Sequence, residues 1–152
     1  MEIRKVTLTD VDHNEEQIRY LFQQICQANY PDYLNMQTYV NSKPDEMRQY
    51  IKDGSAILFG SFENDLMTGL IWGYEKNYFG ERRLHIAHTV VDEAWRHTMA
   101  HLALVKHLME EAKQRDISVG ECMVTYGNER LVSYYEHLGF EIERVIMVKR
   151  KR

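Results

Sequence analysis

Between Ala56 and Val91 the chain writes three β-rich runs almost back to back. AILFGSF (Ala56 to Phe62) and MTGLIWGYE (Met67 to Glu75) are separated only by Glu63-Asn64-Asp65. Two apolar, β-branched and aromatic runs across so short a polar break read as a hairpin. RRLHIAHTVV (Arg82 to Val91) follows as a further strand.

The flanks supply the helices. IRKVTL (Ile3 to Leu8) alternates as a strand does. Asp10 is expected to cap a helix whose apolar stripe is Ile18, Leu21, Phe22 and Ile25. Tyr30-Pro31-Asp32 breaks it. A second helical region follows, with Pro44 expected in a first turn, a face of Met47, Tyr50 and Ile51, and Gly54 at its end. After Val91 a long helix is expected to bury Met99, Leu102, Ala103, Leu108, Met109 and Ala112. ECMVTY (Glu121 to Tyr126) reads as a short strand, the segment from Asn128 as a helix, and EIERVIMVK (Glu141 to Lys149) as a closing strand. A run of adjacent strands beside a strand–helix–strand unit predicts an α+β fold, a mixed sheet with helices on its faces.

With 152 residues, 44% of them hydrophobic, the chain can build one ordinary domain with a real core. The net charge of −4 and the single basic run, Lys149 to Arg152, argue against nucleic acid as a partner. No apolar run approaches a membrane span, and the charged N-terminus is unlike a signal peptide. Cys26 and Cys122 stand far apart without metal-ligand spacing, so a cytoplasmic, reduced protein is expected.

The helix NERLVSYYEHLGF (Asn128 to Phe140) is the most specific stretch. Asn128 suits an N-cap. Leu131, Tyr135 and Leu138 fall on one stripe at i, i+4 and i+7. Gly139 suits the left-handed position past the end, with Phe140 packing back on Tyr135. Packing alone accounts for most of this. Yet the segment, in this strand order, resembles the closing helix of the GNAT superfamily of acyl-CoA-dependent N-acetyltransferases: Asn128, Tyr135, Glu136, Leu138, Gly139 and Phe140 fit its pattern, and Leu131 stands where alanine is usual. The match is good from about Arg82 onward. It implies a GNAT-like fold over residues 1–152, with about six to seven strands and about four helices.

The resemblance also implies a chemistry. The strand ending at Val91 should part from the strand Glu121 to Tyr126. The pantetheine arm of acetyl-CoA, the co-substrate, would enter there against the backbone of Val90 and Val91. Backbone amides at that place can hold a developing oxyanion. Tyr135 would protonate the departing thiolate, for which a phenol near pKa 10 is a suitable donor. Asn128 belongs to the same cofactor-facing motif. No metal is implied. The partner is a small amine-bearing acceptor: an amino sugar, polyamine, amino acid or peptide amine. A homodimer is compatible with it.

One departure stands out. The family usually follows the splayed strand with R/Q-x-x-G-x-G/A, a loop that lets amides approach the CoA pyrophosphate. Here the matching residues are Arg96, His97, Thr98, Met99, Ala100 and His101, and no glycine occurs between Gly80 and Gly120. Hydrogen bonds to a charged group contribute roughly 1.5–3 kcal/mol each, so losing two could weaken CoA binding about a hundredfold. Two escapes exist: ordinary helical dihedrals need room rather than glycine, with Met99 turned into the core, and Arg96, His97 and His101 can donate to phosphates. The alternative is a helix starting earlier, capped by Asp92, with His97 and His101 as one exposed face.

His88 sits where related enzymes often place a polar side chain, and a pKa near 6.5 suits a base. In a regular strand His85 and His88 face opposite ways, so at most one meets the acceptor unless a bulge intervenes. Either histidine can equally be a hydrogen-bonded core residue. Tyr30, Tyr33, Tyr39 and Asn41 could wall the acceptor site, with Trp72, Tyr74, Tyr78 and Phe79. The rival reading is a GNAT-fold binding or regulatory module that lost CoA turnover with its glycines.

Overall fold

The β-rich centre of the sequence forms the frame on which everything else is placed. The structure, a computed structural model, describes residues 1–151 except Pro31, Asp32 and Leu34. It divides into two compact units, Met1–Cys122 and Met123–Arg152. In the first unit, β1 (Glu2–Lys5), β2 (Ile57–Glu63), β3 (Leu66–Tyr78), β4 (Glu81–Val91) and β5 (Val119–Cys122) form one sheet in the order β1-β2-β3-β4-β5. All pairs are antiparallel except β4 with β5. This is the mixed sheet the element order requires, with five strands among the described residues where six to seven were expected. The hairpin expected at Asn64 is present. A second tight turn joins β3 to β4 through Phe79 and Gly80, both at positive φ.

Helices cover both faces. On one side lie α1 (Leu8–His13), α2 (Glu15–Asn29) and α3 (Met36–Asp53); on the other lies α4 (Ala100–Gln114). The expected stripe of α2, Ile18, Leu21, Phe22 and Ile25, is buried. It packs with Val40, Met47, Leu58, Leu70, Trp72 and Val90 in the main core. Gln24 and Cys26, on the same helix, are buried too.

Several local details differ from the sequence reading. Asp10 does not cap the helix that carries Ile18: that helix, α2, follows Asn14 at its N-cap position, and Asp10 lies inside the separate α1, whose N-cap is Thr7. Asp10 is the third residue of a capping box, its carboxylate accepting from the Thr7 amide at 2.8 Å. Asp10 also meets Arg4, which explains its selection: burial raises its pKa, but the bonds from Arg4 and Thr7 outweigh that and hold it below the usual carboxylate value. Asn14 then ends α1 and reaches the β2–β3 hairpin, donating to the Asp65 carbonyl and accepting from the Met67 amide. Pro44 lies inside α3, not in a first turn. Its neighbour contacts win over the missing hydrogen bond, because it is buried with Lys43 and Met47 on the inward face. The break expected at Tyr30-Pro31-Asp32 falls partly outside the described residues. On α4 the inward stripe is Ala100, Leu104, Val105, Leu108 and Ala112, and Met99 is 65% exposed instead of buried.

The second unit contains α5 (Glu129–His137) followed by a segment without regular secondary structure. The closing strand expected over Glu141 to Lys149 is absent among the described residues. Ile142, Val145, Ile146, Met147 and Val148 are exposed. The pattern is that of a strand, but a strand exists only where another backbone pairs with it, and this unit offers none.

Among the described residues, no helix is long and apolar enough to cross a membrane.

Candidate active site

The strand expected over Glu121 to Tyr126 is β5 at Val119–Cys122, and it pairs with only part of β4. The parallel ladder of β4 with β5 runs from Arg83↔Val119 to Ile86↔Cys122 and stops. β4 continues to Val91 while still paired with β3. From Ala87 to Val91, its other edge therefore has no strand partner among the described residues. The Asp92 amide donates to the Thr68 carbonyl at 2.8 Å. Antiparallel alternation then commits the N–H and C=O of Val90 to β3 and turns those of Thr89 and Val91 to the open edge. The two backbone contacts expected at Val90 and Val91 are thus corrected: Val91 and Thr89 present outward groups, and Val90 does not.

A bulge decides the histidines. Trp72 pairs with His88, but the next residue, Gly73, pairs with Ile86, so β4 carries one extra residue there. Tyr74 pairs with His85. Trp72 and Tyr74 share a sheet face, so His85 and His88 share it as well, contrary to the regular-strand expectation. Their rings confirm the placement: His88 lies 5.4 Å from Trp72, and His85 lies 4.9 Å from Tyr74. This is the face covered by α2 and α3.

His88 sits in an aromatic corner, with Phe22 at 5.1 Å and Tyr39 at 6.4 Å. Into the same corner α3 sends Lys43, whose Nζ lies 4.0 Å from the Tyr39 ring centre, 5.5 Å from Phe22 and 5.7 Å from Trp72. Glu46 Oε2 pairs with it at 3.1 Å. An ammonium over aromatic faces gains about 0.5–2 kcal/mol per good contact, which makes burying this lysine tolerable. Burial, with Lys43 and His85 adding positive potential, pushes the His88 imidazole down to about 4. The sequence reading assumed a pKa near 6.5; His88 is instead neutral across the physiological range. Burial, with Cys26, Tyr30 and Glu46, pushes the Tyr39 phenol up to about 12. Lys43 was missed by sequence reasoning. Its one signal was spacing: Tyr39, Lys43 and Met47 fall at i, i+4, i+8 on α3.

His85 has a different environment. It is buried, and its Nδ1 lies 2.6 Å from Glu121 Oε2 on β5. Lys76 and Arg83 also reach Glu121. Burial raises the Glu121 pKa, but the bonds from His85 and Lys76 outweigh it and keep the group below the usual carboxylate value. The ionised carboxylate can only accept, so His85 Nδ1 is the donor.

After β4 the chain does not run straight into helix. Asp92 caps a single 3-10 turn over Glu93–Trp95, and α4 begins separately at Ala100. The expected alternative, one helix from Asp92 through His101, is not formed. Neither Arg96 (φ −64°) nor Met99 (φ −83°) adopts a dihedral that needs glycine. Met99 leaves room by pointing to solvent, not into the core. Thr98 Oγ1 accepts from the Ala100 amide at 3.2 Å, and the helix ladder starts with the Ala103 amide on the Met99 carbonyl at 3.0 Å. His97 is exposed; His101 is half-buried, and burial lowers its pKa. Arg96 is exposed, but two of its nitrogens are engaged by the protein. Its Nε donates to the Val91 carbonyl at 3.1 Å, and its Nη2 donates to Gln24 Oε1 at 2.7 Å.

In the second unit, α5 is capped as its sequence dictates. Asn128 Oδ1 accepts from the Leu131 amide at 3.2 Å. At the other end, Phe140 donates to the Tyr135 carbonyl and Gly139 to the Glu136 carbonyl, both at 3.0 Å, with Gly139 at φ 93°. These bonds are the two of a Schellman motif. Tyr135 is buried, its ring 5.1 Å from Phe140 and 5.5 Å from Tyr134.

A sequence model of the Acetyltransferase (GNAT) domain family matches residues 11–148. The chain belongs to the GNAT acetyltransferase family. Among solved structures, a tetramutant of the BH1408 protein from Bacillus halodurans superposes with a TM-score of 0.81 at 16% identity, covering 99% of this chain and 100% of that one. An aminoglycoside acetyltransferase, HMB0005, from an uncultured soil metagenomic sample gives 0.76 at 16% identity, covering 99% and 98%. A ribosomal-protein-alanine N-acetyltransferase from Brucella melitensis biovar Abortus 2308 gives 0.69 at 18%, covering 99% and 100%. At these identities the likeness establishes the GNAT fold and nothing about the acceptor. No curated protein matches the sequence.

Acetyl-CoA is the co-substrate the GNAT family implies, and the first unit fits it in two respects. The open edge of β4 offers outward amides at Thr89 and Val91. The start of α4 is an N-terminus of ordinary dihedrals with its largest neighbouring side chain in solvent.

Proposed function

We propose that this GNAT domain transfers an acetyl group from acetyl-CoA to the primary amine of a small acceptor. The observation that carries the reading is the end of β4: one strand edge left open from Ala87 to Val91, immediately before a helix N-terminus. A lost cofactor site would be expected to fill that place, for instance with a helix continuous through Arg96 to His101. The break between Glu93–Trp95 and Ala100 argues against the regulatory-module reading.

Acetyl-CoA supplies a thioester carbonyl, whose C–S bond breaks as the acceptor's C–N bond forms. The Val91 amide, on the open edge, is the donor assigned to the carbonyl oxygen as charge develops there. Tyr135 is assigned the proton for the leaving sulfur. Backbone at Arg96 to His101 is assigned the pyrophosphate, with His97 and His101 as side-chain donors, and Asn128 the shaping of the helix that carries Tyr135. His88 accepts a hydrogen bond from the acceptor amine. At a pKa of about 4 it orients the amine without taking its proton, which is released to solvent water. The corner of Phe22, Tyr39, Trp72 and His88 is assigned to the acceptor side. Two free cysteines are consistent with a reducing, cytoplasmic setting.

Calorimetric titration with acetyl-CoA tests the reading, followed by a screen of amino sugars, polyamines, amino acids and peptides for CoA release. Micromolar binding, with release reduced at least about tenfold by Tyr135→Phe, is expected. No binding up to millimolar acetyl-CoA would sink it.

A further inference from the structure

Arg96 has the place in sequence of a phosphate ligand, yet its guanidinium faces back toward the strand it has just left. Nε holds the Val91 carbonyl and Nη2 holds Gln24 Oε1. Gln24 lies on α2, is only 7% exposed, and takes a second bond on the same oxygen from the Glu93 amide at 3.3 Å. Its Nε2 is buried with no hydrogen-bond partner among the described residues. A buried donor left without a partner is costly. The side chain is thus oriented for its oxygen, toward Arg96 and Glu93, at the expense of its nitrogen. A neighbouring tie, Gln17 Nε2 to Asp92 Oδ2 at 3.0 Å, links α2 to the same turn.

The consequence falls on Val91. The peptide joining Val91 to Asp92 is held on both sides: its carbonyl by Arg96, its N–H by the Thr68 carbonyl at 2.8 Å. Holding that plane restricts rotation about ψ of Val91, and with the preceding peptide tied to β3 through the Val90 carbonyl the residue, and with it the N–H on the open edge, is restrained from both ends. A charge-assisted bond from a guanidinium is among the stronger ways to hold a carbonyl. It also sets a positive charge beside the amide assigned to the acyl oxygen.

We propose that Gln24 and Arg96 form a clamp that positions the Val91 amide, and that Arg96 acts through Val91, not as a ligand of the pyrophosphate. The inference rests on the acetyl-CoA reading above. Neither residue is a catalytic residue; both are positioning residues.

The chemistry separates the two roles of Arg96. Arg96→Lys keeps a positive charge for phosphate but cannot donate to Val91 and Gln24 in the same planar fork. Gln24→Leu keeps the volume and removes the acceptor oxygen. Gln24→Glu keeps an oxygen for Arg96. Titration of each folded variant with acetyl-CoA, alongside 3′-phosphoadenosine 5′-diphosphate as the phosphate-bearing half alone, reads the difference. Arg96→Lys and Gln24→Leu are expected to weaken acetyl-CoA about five- to tenfold, the loss of roughly one hydrogen bond. Gln24→Glu should restore it to within about twofold, and all three should leave the phosphate fragment within about twofold of wild type. Thermal melts check that the variants are folded. Equal weakening of both ligands by Arg96→Lys would place Arg96 on the phosphates and overturn the clamp. So would a Gln24→Leu variant that binds acetyl-CoA as wild type does. Failure of the wild-type protein to bind acetyl-CoA at all would instead remove the acetyl-CoA reading, and the clamp with it.

Discussion

Gly69 offers a direct way to disturb the open edge from behind. It lies on β3 opposite Val91. A Cβ at this position would stand 2.8 Å from Ser61 Oγ, 2.9 Å from the Val90 carbonyl oxygen and 3.2 Å from Val91 Cγ2. Comfortable contact begins near 3.4 Å, so the Val90 carbonyl must retreat by about half an ångström. That atom is backbone and cannot rotate away. The Ser61 hydroxyl cannot yield cheaply either, because it is buried and hydrogen-bonded to Thr68 Oγ1 at 2.9 Å. Overpacking of this kind costs about 1–3 kcal/mol, offset by roughly 0.5–1 kcal/mol from removing a flexible glycine. Gly69→Ala should therefore lose up to about 2.5 kcal/mol, a fall in Tm of up to about 10 °C for a chain of this size. Because the displaced backbone is Val90–Val91, acetyl-CoA affinity should fall as well. Gly73→Ala is the control. Its Cβ meets Leu84 Cδ1 at 3.1 Å, the His85 carbonyl at 3.2 Å and Leu108 Cδ1 at 3.3 Å, mostly flexible side-chain ends. It faces Ile86, before the open edge begins. It should cost some stability and leave acetyl-CoA binding intact. Differential scanning calorimetry and ligand titration of both variants decide the matter. A folded Gly69→Ala protein with wild-type affinity, or a Gly73→Ala protein that loses as much, would refute the argument that this stretch of β4 forms the cofactor edge.

The corner around His88 makes stability depend on pH. The folded pKa of about 4 lies below the ordinary histidine value of 6.5. The unfolded chain then binds the proton more readily, so this contribution is complete above about pH 6.5 and is lost as pH falls toward 4; it amounts to roughly 3 kcal/mol. Urea melts of His88→Gln should show a flatter profile across that window than wild type. Lys43→Met removes a positive charge beside the ring, and NMR titration should show the His88 pKa rising from about 4 toward its ordinary value; no rise would mean that burial alone sets it. Asn128→Ala deletes the cap of α5 and should cost about 1 kcal/mol, read as roughly fivefold faster exchange of the Leu131 amide; unchanged exchange would mean the cap is idle.

The sequence was most informative where structure is set locally. Asn128, Gly139 and Phe140 specify both ends of α5 through bonds spanning a few residues, and the structure makes each of them. The α2 stripe and the β2–β3 hairpin were legible for the same reason. The same local logic misassigned Asp10, because Thr7 is an equally good cap, and it overran in the tail at Glu141 to Lys149, because alternation describes a strand's faces but not its partner.

What only tertiary structure decided is what depends on register between distant segments. A single extra residue in β4 brought His85 and His88 to one face, and no periodicity in RRLHIAHTVV announces it. The missing glycines of Arg96 to His101 looked like a defect in the sequence; the dihedrals there never required them, and the exposure of Met99 supplied the room. Arg96 itself was legible as a residue but not as a contact, since its partners on α2 and β4 come from chain far apart in sequence. Local chemistry fixes caps, stripes and turns; where two edges part, and which side chain then crosses the gap, follows from how the whole sheet is paired.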